Sequence, residues 1–361
     1  MGSMFNMRNL GKAWMLVRDH RPDQVINTFR FAYHAWRGFP EAELPYDPTW
    51  LDLFITSRCN LRCEHCAYGN PLSPREPQVS RDMPMDMYIG ILDRFRGAIA
   101  VALAGGEPLL HPGFVDMVCQ AHRRCMKVHV PTNGTLLAGR VKELLGAPIE
   151  MLNVSIYGTD GESFGALTGG RKTLFEETVR AVRELAHGRR RGGYPRILRT
   201  SFICTKETMH RAVDFIRLSE RLGVDQVRLK NFTPFGIPGY GEEMCLREGD
   251  PEVEAFIGRL RAERFHVPVY LPRLYRERYE PRQCDMRYRM LTIDGDGNIA
   301  RCCVEGPMKR WGNIFREKEV WNGRVMLAAR RQMRDSARSL PPLCMHCEEM
   351  IPERFRVGVE R

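Results

Sequence analysis

Trp50-Leu51-Asp52-Leu53-Phe54-Ile55-Thr56 runs through Ser57-Arg58 into Cys59-Asn60-Leu61-Arg62-Cys63-Glu64-His65-Cys66, and both fold and chemistry are read outward from this junction. The first stretch is mostly apolar and ends in a polar turn, the pattern of a strand. Three cysteines follow at spacings of four and three, a set able to close on one face of an iron–sulfur cluster. A closed four-thiolate site needs one more ligand, and no further cysteine appears before Cys119. The arrangement therefore suits a [4Fe–4S] cluster with one iron left open. Two plainer readings compete with it. Zinc also takes closely spaced cysteines, and His65 makes a Cys3His site conceivable on this loop; a disulfide framework is the other.

The surrounding composition favours metal. With 361 residues and 43% apolar content the chain can bury a barrel-sized core and a smaller unit beside it. It carries 12 cysteines without an N-terminal export pattern, and it has no apolar run long enough to span a bilayer. A reducing cytoplasm is the expected compartment, where cysteine clusters bind metal more often than they pair. The net charge of +11 includes short arginine clusters such as Arg189-Arg190-Arg191 and Arg330-Arg331. That excess can attract a phosphorylated substrate, an acidic peptide or nucleic acid. No aromatics are interleaved with the clusters and no nucleic-acid module is recognisable, which argues against nucleic acid and for a solvated surface.

Apolar strand-like runs at 51–56, 98–104, 127–131, 151–157, 197–204 and 226–232 alternate with helix-like periodic segments at 85–95, 112–125, 138–145, 175–187 and 209–222. Such alternation predicts parallel βα units, because each parallel connection needs a helix-length crossover. Strand runs apolar on both sides predict a sheet covered on both faces. The expected fold class is α/β, a partial (β/α)6 TIM-like barrel whose active site lies at the carboxyl ends of the strands, where the cysteine loop falls. The expected organisation is an N-terminal helical extension over 1–46, the barrel over 47–250, a connecting segment over 251–280 and a small C-terminal unit over 281–361. Helices at 10–19 and 22–36 are expected in the extension, the second packed on the core by its apolar stripe.

The Cys-x3-Cys-x2-Cys loop after a first strand resembles the signature of the radical S-adenosylmethionine (AdoMet) superfamily. That resemblance implies the same (β/α)6 fold and a cluster on Cys59, Cys63 and Cys66 whose open iron chelates AdoMet. It also implies an electron donor such as flavodoxin or ferredoxin, and reductive cleavage of AdoMet to a radical that abstracts hydrogen from substrate. Ala104-Gly105-Gly106-Glu107-Pro108 follows the second strand, where paired glycines let backbone approach a ligand closely. It resembles the family's GGEP motif, which implies that Gly105, Gly106, Glu107 and Pro108 contact AdoMet. Ser155 ends the fourth strand and Asn133 the third, so both are expected at the same pocket; Arg171 or Arg199 is a candidate partner for the AdoMet carboxylate.

Five cysteines crowd the C-terminal region, Cys284, Cys302, Cys303, Cys344 and Cys347, with Asp294-Gly295-Asp296-Gly297 as a hairpin signal. Four cysteines in two pairs can enclose an iron–sulfur cluster or a structural zinc. The pattern resembles a twitch domain, the shortened SPASM extension, which implies one auxiliary [4Fe–4S] cluster on Cys284, Cys302, Cys344 and Cys347. Adjacent Cys303 leaves the ligand at that position open, the glycine spacing favouring Cys302. The resemblance implies oxidation or epimerisation of a sugar or aminocyclitol-like small molecule. Peptide maturation by thioether or crosslink formation is the alternative enzyme reading, and an electron-transfer or zinc protein the non-enzyme one. Cys245, in a Gly/Pro-rich segment after the sixth strand, is the candidate hydrogen donor for epimerisation, and Lys230, Glu242 and Glu243 are candidate proton acceptors for oxidation.

Overall fold

The structure is a computed structural model that describes residues 14–75, 82–189, 193–275, 284–306, 309–334, 344, 347 and 356–357. Residues 10–13 of the first expected helix, and Arg190 and Arg191, lie outside them. Six strands, β1 (Trp50–Thr56), β2 (Ala100–Gly105), β3 (Lys127–Thr132), β4 (Ile149–Ser155), β5 (Ile197–Cys204) and β6 (Gln226–Asn231), pair in sequential order and in parallel. Helices at Met85–Arg94, Phe114–Arg123, Val141–Gly146, Thr173–Arg189 and Ala212–Leu222 make the crossovers. The α/β reading with a parallel sheet therefore holds.

The sheet continues past both ends of this set. Residues 251–280, expected as a connector, contain a helix, Pro251–Ala262, and β7 (Val269–Tyr270), which pairs in parallel with β6. At the other edge β8 (Met290–Asp294) pairs in parallel with β1, and β9 (Asn298–Ala300) turns back against β8. The predicted hairpin forms through Gly297 at φ +79, with Asp294 Oδ1 accepting from the Asp296 and Asn298 amides. β10 (Gly312–Asn313) and β11 (Arg356–Val357) complete one 11-stranded sheet. Among the described residues no helix is long and apolar enough to cross a membrane.

Three expectations are corrected. Not every strand is apolar on both sides: β1 is buried from Leu51 to Thr56, but in β3 Val128, Val130 and Thr132 are buried while Lys127, His129 and Pro131 are half-buried, and β6 alternates in the same way. The side away from the crossover helices is polar because it lines a cavity rather than a second packed layer. Likewise the helix Pro22–Trp36 sets only part of its apolar stripe, Phe31 and Ala35, on the core and docks also through polar side chains. Gln24 donates to the Ala98 and Arg124 carbonyls, and Asn27 to those of Asp47 and Gly97, while Ile26, Phe29, Tyr33 and Trp36 point outward. Arg330, read as surface charge, is wholly buried. It lies 4.1 Å over the Trp321 ring, with Nε donating to Arg287 O at 2.9 Å and Nη1 to Ala42 O at 3.1 Å.

Asp52 on β1 is buried and accepts from Thr292 Oγ1 of β8 at 3.4 Å. Burial pushes its pKa from 3.8 up to about 7, against the pull of Thr292. Stability from the neutral carboxyl is thus fully present below the ordinary value and is lost as pH rises towards the folded one. Relative to Asp52→Asn, the wild-type protein should lose roughly 1.4 kcal/mol per pH unit through that window, read from denaturant unfolding at each pH. A difference between the two proteins that is independent of pH would contradict this account.

Candidate active site

The cysteine loop is held at the carboxyl end of β1 by backbone contacts to the end of β2. Gly106 N donates to Thr56 O at 2.8 Å and Glu107 N to Arg58 O at 2.7 Å. A Cβ at residue 105 would stand 2.2 Å from Thr56 O, and one at 106 would stand 2.1 Å from Arg58 O; Gly105 also has φ +120. The glycine pair is thus required by close approach of the chain to itself, where the sequence suggested approach to a ligand. Arg58 adds a salt bridge to Asp82 at 2.8 Å and a hydrogen bond to Leu110 O at 2.6 Å.

Glu107 is 1% exposed, and burial raises its pKa although three donors oppose the shift. Its oxygens accept from Thr132 Oγ1 (2.7 Å), Asn133 N (2.7 Å) and Leu109 N (3.1 Å), which ties the ends of β2 and β3 together beneath the loop. Asn133 continues the chain of contacts: its Nδ2 donates to Asn60 Oδ1 at 2.9 Å and lies 3.9 Å from Cys59 Sγ. Pro108 opens a short buried 3-10 turn. Ser155 Oγ meets Ser201 Oγ at 3.3 Å on the neighbouring strand. Arg171 is exposed on the surface, whereas Arg199 lies inside.

All the cysteines in the described residues are free thiols, which excludes the disulfide reading for them. Cys59, Cys63 and Cys66 sit close enough to act on one another electrostatically, and the Tyr68 amide donates to Cys66 Sγ at 3.4 Å. His65 packs edge-on against Tyr157 and Phe232, and burial lowers its pKa to about 4. Its ring is occupied by that packing. Among the described residues no three His, Cys, Asp or Glu side chains converge as ligands of a single metal ion.

The C-terminal cysteines form a second buried group. Cys284, Cys302 and Cys344 interact with one another, and burial pushes Cys284 up to about 12 and Cys302 up to about 11. Arg287, 2% exposed, is their counter-charge: Nη2 donates to Cys344 Sγ at 3.5 Å and Nη1 to Ala329 O at 3.0 Å. Among the described residues no carboxylate pairs with it, so this buried cation fits a site holding anionic thiolates. Cys347 is buried and its amide donates to Cys344 O at 3.3 Å. Cys303 instead opens onto a cavity of about 260 Å³ that it shares with His65 and Cys347. Arg228 and Lys230 line that cavity and also a larger one of about 480 Å³ inside the sheet, bounded by Trp50, His129 and Tyr270.

The radical SAM superfamily matches over residues 53–218, and the SPASM iron–sulfur cluster-binding domain over residues 284–348. The chain belongs to the radical SAM superfamily. It is 28% identical to the tungsten-containing aldehyde ferredoxin oxidoreductase cofactor-modifying protein of Pyrococcus furiosus, over 70% of each chain. It is 31% identical to the molybdenum cofactor biosynthesis protein moc-5 of Caenorhabditis elegans over 192 residues, which are 52% of this chain and 30% of that protein. Its fold is similar to that of Streptococcus suis SuiB bound to the precursor peptide SuiA, with a TM-score of 0.65 and 16% identity over 95% of this chain and 81% of that one. The cofactors of this radical SAM protein are a [4Fe–4S] cluster, AdoMet and an auxiliary iron–sulfur cluster.

The residues fit those groups: three free thiols in one loop, and Cys284, Cys302 and Cys344 beside buried Arg287 with Cys347 in the same cluster. Cys245 is not among the residues lining either cavity; it is fully buried, with Sγ 3.4 Å from Phe232 O. Glu242 is paired with Arg247 at 3.1 Å, and Glu243 accepts from Gly241 N at 3.0 Å. Sequence reading missed Arg287 and Arg228, and named Lys230 only as a proton acceptor, because isolated basic residues carry no local motif.

Gly106→Ala should cost on the order of 3 kcal/mol or more, through the clash with Arg58 O, and should lower iron incorporation with it. Gly139→Ala, with nothing within 4 Å of its Cβ position, should stay within about 0.5 kcal/mol of wild type. Thermal unfolding and iron content of the two variants, purified side by side, check the contrast.

Proposed function

We propose that the chain removes hydrogen from a C–H bond of a small oxygen- or nitrogen-bearing molecule and oxidises it by two electrons, in the cytoplasm, supplied with electrons by a flavodoxin or ferredoxin. The observation that carries this reading is the cavity bounded by His65 of the first cysteine loop on one side and by Cys303 and Cys347 on the other. A molecule held there faces both cysteine sets. In the proposal Cys59, Cys63 and Cys66 hold the AdoMet-binding cluster, and Cys284, Cys302, Cys344 and Cys347 hold the auxiliary one.

When bound, these groups supply a hydrogen-atom acceptor and an electron acceptor, and the organic chemistry is theirs. The protein's contribution is placement. Glu107, Thr132 and Asn133 fix the floor beside Cys59, and Gly105, Gly106, Pro108 and Ser155 form the adjoining wall proposed for AdoMet. His65, Phe232 and Phe235 give that end of the cavity an aromatic lining, with Tyr157 packed edge-on against His65. Arg287 offsets the thiolate charge at the far end.

Epimerisation would instead require a thiol facing the substrate. Cys245 is buried away from the cavity, so Cys303 is the better-placed donor for that reading. Peptide maturation is the second enzyme class, supported by the fold shared with peptide-bound SuiB.

Anaerobically reconstituted enzyme with AdoMet and dithionite should release 5′-deoxyadenosine, and Cys63→Ala should reduce that release at least about a hundredfold. Cys284→Ala should retain AdoMet cleavage and lose the oxidised product. Undiminished product formation by Cys284→Ala rules out the proposed electron acceptor. Deuterium taken from solvent into a Cys303-dependent product would replace oxidation by epimerisation.

A further inference from the structure

The chemistry proposed above needs an electron delivered to the first cysteine loop from outside the protein, and transfer between proteins slows steeply with distance. A hollow of about 480 Å³ opens on that loop, with Arg62, Tyr68, Gly69, Asn70 and Arg75 in its lining. A Cβ at residue 69 would stand 2.7 Å from Cys63 N and 2.9 Å from Cys63 O. Cys63 itself is buried, yet the hollow reaches to within the thickness of one backbone of it. The rim is tied to the same loop: Asn70 N donates to Cys66 O at 3.0 Å, and Leu72 N to Asn70 Oδ1 at 2.8 Å. That turn leaves Leu72 65% exposed.

The charge on this face is of one sign. Arg62 is exposed, and Arg75 lies 5.2 Å over the Tyr68 ring. Among the described residues neither pairs with a carboxylate, and no described residue lining the hollow is Asp or Glu. Glu64, the acid of the loop, accepts from the Tyr240 hydroxyl. The turn after the helix Gly161–Thr168 adds to the field, since Arg62 N donates to Thr168 O at 3.1 Å and exposed Arg171 and Lys172 follow directly. Lys172 meets Glu162 only at 3.9 Å with both side chains largely in solvent, a pairing worth little. Arginine around an exposed apolar side chain is the composition of a protein interface.

We infer that this face docks the electron carrier, and that the carrier is an acidic flavoprotein of the flavodoxin class whose flavin edge enters the hollow beside Tyr68. A hollow suits a protruding planar group better than a redox centre lying beneath a flat surface. Redox encounters bury little area and gain their rate from charge complementarity, which the arginines supply. One electron leaves the reduced flavin and one is taken up by the cluster; no bond forms or breaks in the step. The inference rests on reading Cys59, Cys63 and Cys66 as the ligands of the AdoMet-binding cluster.

The test titrates oxidised flavodoxin into the reconstituted protein by calorimetry, then compares 5′-deoxyadenosine release driven by reduced flavodoxin with release driven by dithionite. Flavodoxin should bind, and more weakly as salt rises from about 0.01 M to about 0.1 M, where the Debye length falls from roughly 30 Å to roughly 10 Å. Arg62→Glu and Arg75→Glu should each weaken binding about tenfold or more and raise the flavodoxin KM by a similar factor with kcat held. Lys172→Glu, outside the loop, should weaken it several-fold, and Arg183→Glu, on an exposed helix face, should bind as wild type does. Dithionite is a small ion that needs no docking face, so release driven by it should be retained in every one of these variants. Equal losses with both reductants, or wild-type affinity in both arginine variants, overturns the inference. Equal affinity for a polyglutamate peptide, or binding of ferredoxin without flavodoxin, does so too. Dithionite-driven release that survives Cys63→Ala would instead overturn the reading of the loop, whereas failure of docking with that release intact and Cys63-dependent leaves the loop reading standing.

Discussion

Two carbonyl oxygens, those of Thr56 and Arg58, occupy the space where side chains of residues 105 and 106 would be, and the geometry of the site depends on that contact. Only glycine at both positions lets the end of β2 lie flat against the loop leaving β1. The loop is then fixed by amide hydrogen bonds instead of by flexible side chains, so the three thiols inherit the rigidity of the sheet. Glu107 extends the effect to β3, since its carboxylate cannot leave without stranding the Thr132 hydroxyl and two amides.

How much of this was legible in the sequence depends on whether the signal was local. The cysteine spacing, the glycine pair, the Asp294–Gly297 hairpin and the six βα units are carried by near neighbours, and each was readable. What was misread depends on partners far away in the chain. The burial of Arg330 is decided by Ala42, Arg287 and Trp321, and no neighbour of Arg330 announces it. The helix Pro22–Trp36 seats Phe31 and Ala35 of its apolar stripe on the core, yet Gln24 and Asn27 also find buried carbonyls seventy or more residues on, and those hydrogen bonds help set which face turns inward. Periodicity gives the faces of a helix; it cannot say which face has unsatisfied carbonyls waiting for it.

The placement of the C-terminal cysteines was beyond any sequence signal. Their region joins the sheet through β8, registered on β1 from Trp50↔Met290 to Phe54↔Asp294, and the segment before β1 is stitched to the helix Arg324–Arg334 and the residues preceding it. A second cysteine set joined by backbone pairing has a fixed separation from the first. A set on a flexible tether would sample many separations, and the cavity between the two would have no constant shape.

The same physical rule accounts for two different groups of buried cations. Arg287 sits among thiols and gains its counter-charge from them, so its burial is balanced within the chain. Arg330, wholly buried, is met instead by the Arg287 and Ala42 carbonyls and the Trp321 ring, and half-buried Arg199 by Gln226 Oε1 and the Tyr270 ring. A guanidinium taken out of water thus needs either an anion or neutral acceptors and an aromatic face beside it, and this sheet uses both solutions.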